Sequence, residues 1–182
     1  MEAARWPDHI RIAVNVSPVQ FRSQTLALNV ATALAASGLS PSRLELEITE
    51  AVLMRDDEIA LATLHQLRSL GIRIALDDFG TGYSSLSYLH RFPFDKIKID
   101  RSFVKNIGDE GASSAIIQAV VNIANASNMT TTAEGVEQAW QRDMLRELGC
   151  TEMQGYLFSP PVAAVEVRRL LPGPRDKAVS AA

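Results

Sequence analysis

The sequence predicts an α/β fold in which parallel strands alternate with helices, as in a β/α barrel. The first observation is that strand-like and helix-like segments alternate six times along the 182 residues, which is the pattern of parallel βα units. The second is that every strand-like segment ends in polar or charged side chains. In a β/α barrel the carboxyl ends of the strands share one face, where the functional site is built. We therefore expect the chemistry of this chain to lie on a single face.

Six segments have the apolar alternation or the β-branched composition typical of strands. Glycine, proline or polar residues bound each of them. Pro18 closes the first segment, because proline cannot donate to a strand ladder. The predicted strands are residues 11–16, 44–48, 72–76, 95–99, 129–133 and 151–154.

Helical spacing of apolar residues, often followed by a glycine stop, predicts the segments between the strands. In one of them Leu61, Leu64 and Leu67 recur on a single face. Residues 1–8 are interpreted as the end of a further helix. The predicted helices are residues 26–37, 57–70, 84–90, 112–127, 138–148 and 162–171. Residues 1–171 are expected to form one domain, and the polar, small-residue segment 172–182 a disordered tail.

Composition narrows the class of protein. Hydrophobic residues make up 47% of the chain and charged residues 21%, which is typical of a globular domain with a real core. The net charge of −3, without a basic run, argues against DNA as a partner, because binding a DNA backbone requires clustered Lys and Arg. Cys150 is the single cysteine, so no intrachain disulfide is expected. No apolar run has membrane-spanning length, and the chain is expected to be cytoplasmic.

The stretch 74–85 carries the strongest chemical signal. An apolar run ends in Asp77 and Asp78, and a loop with Gly80 and Gly82 follows. Paired carboxylates beside a backbone that can approach a ligand closely suit a hard divalent cation and a phosphate. The alternative interpretation is a helix start with acidic residues near its cap.

The other strand ends extend this set of candidate residues. Oxygen donors at four positions, without sulfur or imidazole, are the ligands that Mg²⁺ and Mn²⁺ prefer. In a two-metal site one carboxylate bridges the ions, and Asp77 is the best candidate for it. The candidate metal ligands are Asn15, Glu47, Asp77 and Asp78, and the further candidates are Lys98, Asp100, Glu134, Glu137 and Gln154.

Each further candidate has a chemical role and a plainer alternative. Lys98 would hold a water or a developing phosphate charge, or else form a buried ion pair. Glu134 would take a proton from the attacking water or complete a second metal site. Glu137 would orient its neighbours and Gln154 would hydrogen-bond a ligand. The alternatives are helix caps for Glu50, Asp100 and Glu137, a turn for Gln154 and an Asx-type turn for Asn15.

The order of these motifs resembles the EAL-domain family, the phosphodiesterases of the bacterial second messenger cyclic di-GMP. The matching stretches are 14–18 (Val-Asn-Val-Ser-Pro), 45–50 (Glu-Leu-Glu-Ile-Thr-Glu), 76–86, 96–100 (Lys-Ile-Lys-Ile-Asp), 133–137 (Ala-Glu-Gly-Val-Glu) and 154–156 (Gln-Gly-Tyr). The resemblance implies a TIM-like (β/α) barrel and hydrolysis of cyclic di-GMP to the linear dinucleotide with Mg²⁺ or Mn²⁺.

The resemblance also implies a role for each candidate residue. Asn15, Glu47, Asp77 and Asp78 would ligate metal. Lys98 would stand at a metal-bound water, and Glu134 would be the general base or a second-metal ligand. Glu137 would support the site and Gln154 would line it.

One motif of the family is absent. The Glu-Ala-Leu stretch is missing, and Glu2-Ala3-Ala4 lies too close to Asn15 to replace it. The resemblance therefore implies about six of eight strands, with one metal-ligand Glu missing, two open edges and an uncovered apolar interior. We expect the chain to self-associate through those edges, and upstream regulatory domains in a longer protein.

Two alternative functions remain open at this point. A truncated module would bind cyclic di-GMP or a protein partner in signalling without cleaving it. A different Mg²⁺ barrel enzyme would use Lys98 as its base, although the adjacent Asp77 and Asp78 argue against that reading.

Overall fold

Six parallel strands form one sheet within the described part of the chain, in the order β1-β2-β3-β4-β5-β6. The structure is a computed structural model, and it describes residues 2–53, 57–80, 89, 91–108 and 112–171. Each strand pairs with the next one along the chain, which confirms the partial β/α barrel. The strands are β1 Ile12–Asn15, β2 Leu44–Thr49, β3 Arg73–Phe79, β4 Lys96–Ile99, β5 Thr130–Ala133 and β6 Glu152–Met153.

Helices connect the strands and cover the outer face of the sheet. The described helices are α1 Pro18–Phe21, α2 Leu26–Ser37, α3 Asp57–Ser69, α4 Arg101–Lys105, α5 Ala112–Ala126, α6 Ala139–Glu147 and α7 Val167–Leu170. Three further segments, Ala3–Arg5, Pro41–Arg43 and Glu50–Val52, are single 3₁₀ turns. None of the helices in the described residues combines the length and apolarity that crossing a bilayer requires.

The two faces of the sheet differ sharply in polarity. Side chains alternate along each strand, so one set points to the helices and the other into the barrel interior. The outward set is apolar and buried, and it includes Leu46, Ile48, Ile74, Leu76, Ile97, Ile99 and Ala133. The inward set includes the charged residues Glu45, Glu47, Asp77, Lys96 and Lys98, all buried. The prediction of an apolar interior was therefore wrong, because charged side chains that form ion pairs line the inner face of the described strands.

Lys96 connects three strands across this interior. Its Nζ lies 2.7 Å from Glu45 Oε1 on β2 and 2.6 Å from Glu152 Oε2 on β6. Since β2 and β6 are four positions apart in the sheet, this lysine links distant strands across the interior. Burial raises the pKa of the Glu152 carboxyl, but the bond from Lys96 outweighs burial, and the net shift is downward.

Several predicted boundaries differ from the structure. The strand predicted at 72–76 continues through Asp77 and Asp78 to Phe79, because its pairing with β4 shifts between Leu76 and Phe79 and accommodates both acids. The strand predicted at 151–154 is only Glu152–Met153. The helix predicted at 162–171 is only Val167–Leu170, which buries no residue. Residues 1–8 contain a 3₁₀ turn rather than the end of an α-helix. The predictions for most of 84–90 and for the tail 172–182 lie outside the described residues.

The first strand is an exposed edge of the sheet. Ala13, Val14 and Asn15 are exposed, although Asn15 pairs in register with Glu47. At the base of β1, the buried Arg43 donates to the carbonyls of Ile10 and Ala3, at 2.8 Å each. The segment before β1 is therefore anchored, while β1 itself offers an unpaired side.

Candidate active site

Lys98 is the centre of the cluster of charged side chains at the carboxyl ends of the strands. It is 4% exposed, and it points inward from β4. Its Nζ lies 2.8 Å from Glu47 Oε2, 2.9 Å from Asp77 Oδ1 and 2.7 Å from Glu134 Oε1. Burial lowers the pKa of Lys98, but its hydrogen bonds to Glu134, Glu47 and Asp77 outweigh burial, and the net shift is upward. Lys98 is therefore held as a cation among three carboxylates.

The parallel register explains why these side chains meet. Glu47 and Asp77 come from neighbouring strands, β2 and β3, in which Thr49 pairs with Asp77. Lys98 and Glu134 come from β4 and from the residue after β5. Carboxyl ends of parallel strands lie on the same edge of a sheet, so sequence-distant residues converge there.

Asp78 joins the cluster through an unusual backbone conformation. Its φ of 53° lies in the left-handed region, which Asp tolerates better than most residues. Its N–H donates to Asp77 Oδ1 at 3.1 Å. The irregular pairing of β3 thus turns both neighbouring carboxylates toward one end of the sheet, where strict alternation would separate them.

Oxygen atoms of Asp77, Asp78 and Glu134 lie within 4.8 Å of one another. Burial raises the pKa of Glu134, and the charges of Asp77 and Glu47 raise it further against the opposing effect of Lys98. Burial also raises the pKa of Asp78, with Asp77 and Asp100 adding to it, while Lys98 and Arg101 oppose it. One lysine does not balance the negative charge here. The donor set, all carboxylate oxygen, fits a hard divalent cation.

The remaining predicted residues lie around this cluster. Asp100 caps α4, with its Oδ1 accepting bonds from Ser102 N at 2.9 Å and Ser102 Oγ at 2.5 Å. Gln154 follows β6 and is exposed, as is Glu137, whose N–H donates to Gln141 Oε1. Asn15 is exposed at the end of the edge strand. For these four residues, a role in a site stays a prediction.

A close backbone contact positions the end of β6. A Cβ at Gly155 would lie 2.1 Å from the Val136 carbonyl oxygen, so only glycine fits. Val136 N–H donates to the Gln154 carbonyl at 3.0 Å. The segment after β6 is therefore fixed against the segment that carries Glu134, and Gln154 lies beside the cluster for that reason.

Two further side chains support the site: Glu50, which the sequence leaves open between a helix cap and a site residue, and Gln141, which the sequence does not single out. Glu50 Oε1 accepts a bond from Gly80 N–H at 3.4 Å, so it contacts the backbone just after Asp77 and Asp78. Its spacing of three residues from Glu47 was the available signal. Gln141 is 6% exposed and holds the backbone N–H groups of Glu137 and Gln138, at 2.9 and 3.0 Å. Nothing in its local sequence distinguished it from other helical glutamines.

Several of the curated relatives and solved structures with similar sequences and folds carry cyclic di-GMP in their names. The cyclic di-GMP phosphodiesterase PdeR of Escherichia coli is 40% identical over 92% of this chain and 26% of its own length. A structure of the MucR phosphodiesterase with c-di-GMP has a TM-score of 0.82 and 43% identity, covering 86% of this chain and 64% of that one. A Klebsiella pneumoniae BlrP1 complex with manganese and cyclic di-GMP has a TM-score of 0.78 and 36% identity, covering 83% and 39%.

The family assignment rests on a match that spans most of the chain. This chain spans only about a fifth of the length of the first curated relatives that it matches. The model of the EAL domain matches residues 1–161. The chain therefore belongs to the EAL domain family.

Proposed function

We propose that this chain carries the metal-binding and acid–base residues of a phosphodiesterase that hydrolyses cyclic di-GMP to linear pGpG. The observation that carries the proposal is the convergence of Glu47, Asp77 and Glu134 on Lys98 Nζ, with Asp78 beside them. Membership of the EAL family supports the substrate, since relatives are named as phosphodiesterases of this dinucleotide.

The carboxylate oxygens of Asp77 and Asp78 would hold Mg²⁺ or Mn²⁺, with Glu47 and Asn15 completing the ligands, and Glu134 would be either the proton acceptor or a ligand of a second ion. Manganese accompanies the dinucleotide in the BlrP1 structure. When bound, the cations would polarise the phosphodiester and make water a better nucleophile. Asp77 is the candidate for a carboxylate shared by two ions, because it is the buried member of the group formed by Asp77, Asp78 and Glu134 and also contacts Lys98.

Hydrolysis requires a proton acceptor for water and stabilisation of charge on the phosphate. Glu134 suits the first task, because its pKa is raised above that of an ordinary carboxyl toward neutral pH. A carboxylate with a higher pKa is a stronger base and accepts a proton from water more readily. Lys98 suits the second, because it stays protonated and lies 2.7 Å from Glu134. Water would add to phosphorus, the bond to one ribose O3′ would break, and the proton would pass to Glu134 and on to the leaving oxygen. Glu137, Gln154 and Asp100 would support the substrate at the rim.

A second candidate is a module that binds cyclic di-GMP or a protein partner without cleaving it. The exposure of Asn15 on an edge strand favours it, because a metal ligand held on one side only would be poorly fixed. The names of the relatives favour hydrolysis instead. We further propose a cytoplasmic location, regulatory domains upstream in a longer protein, and self-association through β1.

The decisive experiment incubates the 182-residue chain with cyclic di-GMP and Mn²⁺ and measures pGpG by chromatography, alongside a version extended upstream. Asp77→Ala should abolish product formation in both. Asp143→Ala, which removes an exposed carboxylate outside the cluster, should not. Binding without product in both versions would support the non-catalytic candidate, and no binding would contradict both.

A further inference from the structure

A second set of charged side chains lies inside the curved six-stranded sheet, which we call the arc, closer to the amino ends of the strands than the proposed site. Side chains two residues apart on a strand point to the same face, so Glu45 lies below Glu47 and Lys96 lies below Lys98. Glu45 and Lys96 are 2% and 7% exposed. We call Glu45, Lys96 and Glu152 the lower layer.

Lys96 bonds to strands that are not its neighbours in the sheet. From β4 its Nζ lies 2.7 Å from Glu45 Oε1 on β2 and 2.6 Å from Glu152 Oε2 on β6. Each partner strand is two positions away in the strand order. Glu152 extends these contacts, since its Oε2 accepts from Thr132 Oγ1 at 3.1 Å and its Oε1 lies 4.0 Å from Arg11 Nη1, just before β1. The lower layer therefore spans the arc from β2 to β6 and reaches the segment before β1 across the open side.

Backbone pairing alone does not set the curvature of the arc. Hydrogen bonds between neighbouring strands permit a range of twist, from about 10° to about 35° between adjacent strands. A closed barrel fixes its curvature through the number of its strands and the stagger of their pairing. The described strands instead form an arc whose ends, β1 and β6, do not pair with each other. Links between non-neighbouring strands therefore hold this arc at one curvature.

The proposed site depends on that curvature. Carboxylate oxygens of Asp77, Asp78 and Glu134 lie within 4.8 Å of one another, although β4 separates β3 from the segment after β5. Opening the arc at β4 would therefore move Glu134 away from the two aspartates. Lys98 also joins these elements, but its carboxylate partners are the groups that would bind metal. The partners of Lys96 lie outside that set, so its bonds remain when a cation binds.

We propose that Lys96 is a positioning residue of the proposed phosphodiesterase: its bonds to Glu45 and Glu152 hold the curvature of the arc and thereby keep the metal-binding carboxylates together. The inference rests on the proposed function, since it assumes that these carboxylates bind divalent cations. Groups that orient metal ligands without touching the metal typically contribute about 10- to 100-fold to metal affinity. Lys96 acts in this way, from beneath the site.

The test compares Glu152→Met with Glu152→Gln. Both variants remove the same charge, and both leave Lys96 paired with Glu45, so the buried ammonium group keeps a partner. Only glutamine retains an oxygen that can accept a hydrogen bond from Lys96. The control is Arg68→Met, which removes an ion pair between α3 and Asp95. Circular dichroism and urea unfolding show whether each variant folds. If Glu152→Met does not fold, the pair Glu45→Met and Glu45→Gln cuts the other bond of Lys96.

Two quantities are measured for each variant. The first is the affinity for Mn²⁺, by electron paramagnetic resonance. The second is the distance between nitroxide labels on Val19→Cys and Tyr156→Cys without metal, by double electron–electron resonance in a Cys150→Ala background. Val19 and Tyr156 are 72% and 67% exposed and follow β1 and β6, so their separation reports how far the arc opens.

We expect Glu152→Met to bind Mn²⁺ about tenfold or more weakly than Glu152→Gln, and to give a longer or broader label distance. Glu152→Gln should keep the label distance of the unaltered chain, and Arg68→Met should match that chain in both measurements. Equal affinities or equal distances for the methionine and glutamine variants would overturn the inference and leave the proposed function intact. The same losses in Arg68→Met would also overturn it. If the unaltered chain does not bind Mn²⁺, the proposed function fails and the inference fails with it.

Discussion

Lys98 Nζ lies 2.7 Å from Glu134 Oε1, and this buried ion pair joins β4 to the segment after β5. Lys98 Nζ also contacts carboxylate oxygens of Glu47 and Asp77. One ammonium group therefore pairs with carboxylates from β2, from β3 and from the segment after β5. A buried charge is costly unless it is paired, so each member of this cluster depends on the others. The cluster is both a structural joint and the proposed centre of chemistry.

Removing the charge of Lys98 should destabilise the fold. Lys98→Met leaves three carboxylates facing one another in a buried site, and we expect a loss of about 3–5 kcal/mol in the free energy of unfolding. Urea titration measures it. Arg5→Met, at an exposed position, is the control and should change stability by less than about 0.5 kcal/mol. If Mn²⁺ binds the carboxylates, saturating Mn²⁺ should reduce the difference in the free energy of unfolding between Lys98→Met and the parent. A Lys98→Met variant as stable as the parent without metal would contradict the account of the cluster.

The carboxylate at Asp77 should determine metal affinity. Asp77→Asn keeps the shape of the side chain but removes the charge, and we expect the affinity for Mn²⁺ to fall by about 100-fold or more, because groups that merely orient a metal ligand already contribute about 10- to 100-fold. Mn²⁺ titration followed by electron paramagnetic resonance measures this. Asp143→Asn removes an exposed carboxylate and should leave the affinity unchanged. Equal affinities for both variants would exclude Asp77 as a ligand.

Glu152 should make the fold less stable in acid. Its pKa lies below the ordinary 4.5 in the folded chain, because the bond from Lys96 outweighs burial. A lowered carboxyl pKa stabilises the fold above the unfolded value, and that stability is lost as the pH falls through the folded value. The stability difference between the parent and Glu152→Gln should therefore be present at pH 7, begin to fall as the pH drops below the ordinary value of 4.5, and be lost as the pH passes through the lower folded value. A difference that persists unchanged at pH 3 would contradict the ion pair.

Glu134 should show the opposite pH dependence. Its folded pKa is raised, mainly by burial, so the stabilising effect is present at low pH and is lost as the pH rises through the folded value. Glu134→Gln keeps a neutral side chain at every pH. Relative to the parent, Glu134→Gln should therefore gain stability as the pH rises from 4 to 8, measured in metal-free buffer by urea titration. If Glu134→Gln instead lost stability relative to the parent over that interval, the bond from Lys98 would outweigh the effect of burial on Glu134.

The partial barrel was predictable because its signals are local. Alternating apolar residues and glycine stops appear within a few positions of one another, and the outward side chains of β2, β3 and β4 follow that pattern. The members of the cluster were predictable for a different reason. Glu47, Asp77, Lys98 and Glu134 each mark the carboxyl end of a strand, and parallel topology then brings them together.

The polar interior was not predictable, because each buried charge pairs with a charge that is distant in the sequence. Lys96 reaches Glu152, 56 residues away and two strands distant, so neither charge reveals its partner in the sequence. The end of β3 was missed because Asp77 and Asp78 are poor strand formers that continue the strand through irregular pairing with β4. The helix predicted at 162–171 had apolar spacing, but Val162, Val165 and Leu170 are exposed, so little packing supports it.

Gly155 should be intolerant of even one added methyl group. In Gly155→Ala the Cβ would lie 2.1 Å from the Val136 carbonyl oxygen, a backbone atom that cannot move aside alone. We expect a loss of about 3 kcal/mol or more, at the upper end of overpacking costs. Gly38→Ala is the matched control, because nothing lies within 4 Å of its Cβ and only its φ of +68° opposes the change, at about 1 kcal/mol. Equal losses of stability in the two variants would show that the segment after β6 is free to shift.

The edge of β1 should control self-association. Val16 N–H donates to the Glu47 carbonyl of β2, so by alternation the N–H of Val14 also faces β2, while that of Ala13 faces the open side. Ala13→Pro therefore removes a donor from the open edge only, a position where proline is tolerated. Sedimentation velocity should show the parent as a dimer or larger species and Ala13→Pro shifted to monomer, with an unchanged circular dichroism spectrum. Val14→Pro, which breaks the pairing with β2, should instead lose structure. A parent that is monomeric at all concentrations, or an Ala13→Pro variant that associates as strongly as the parent, would exclude this edge as the contact.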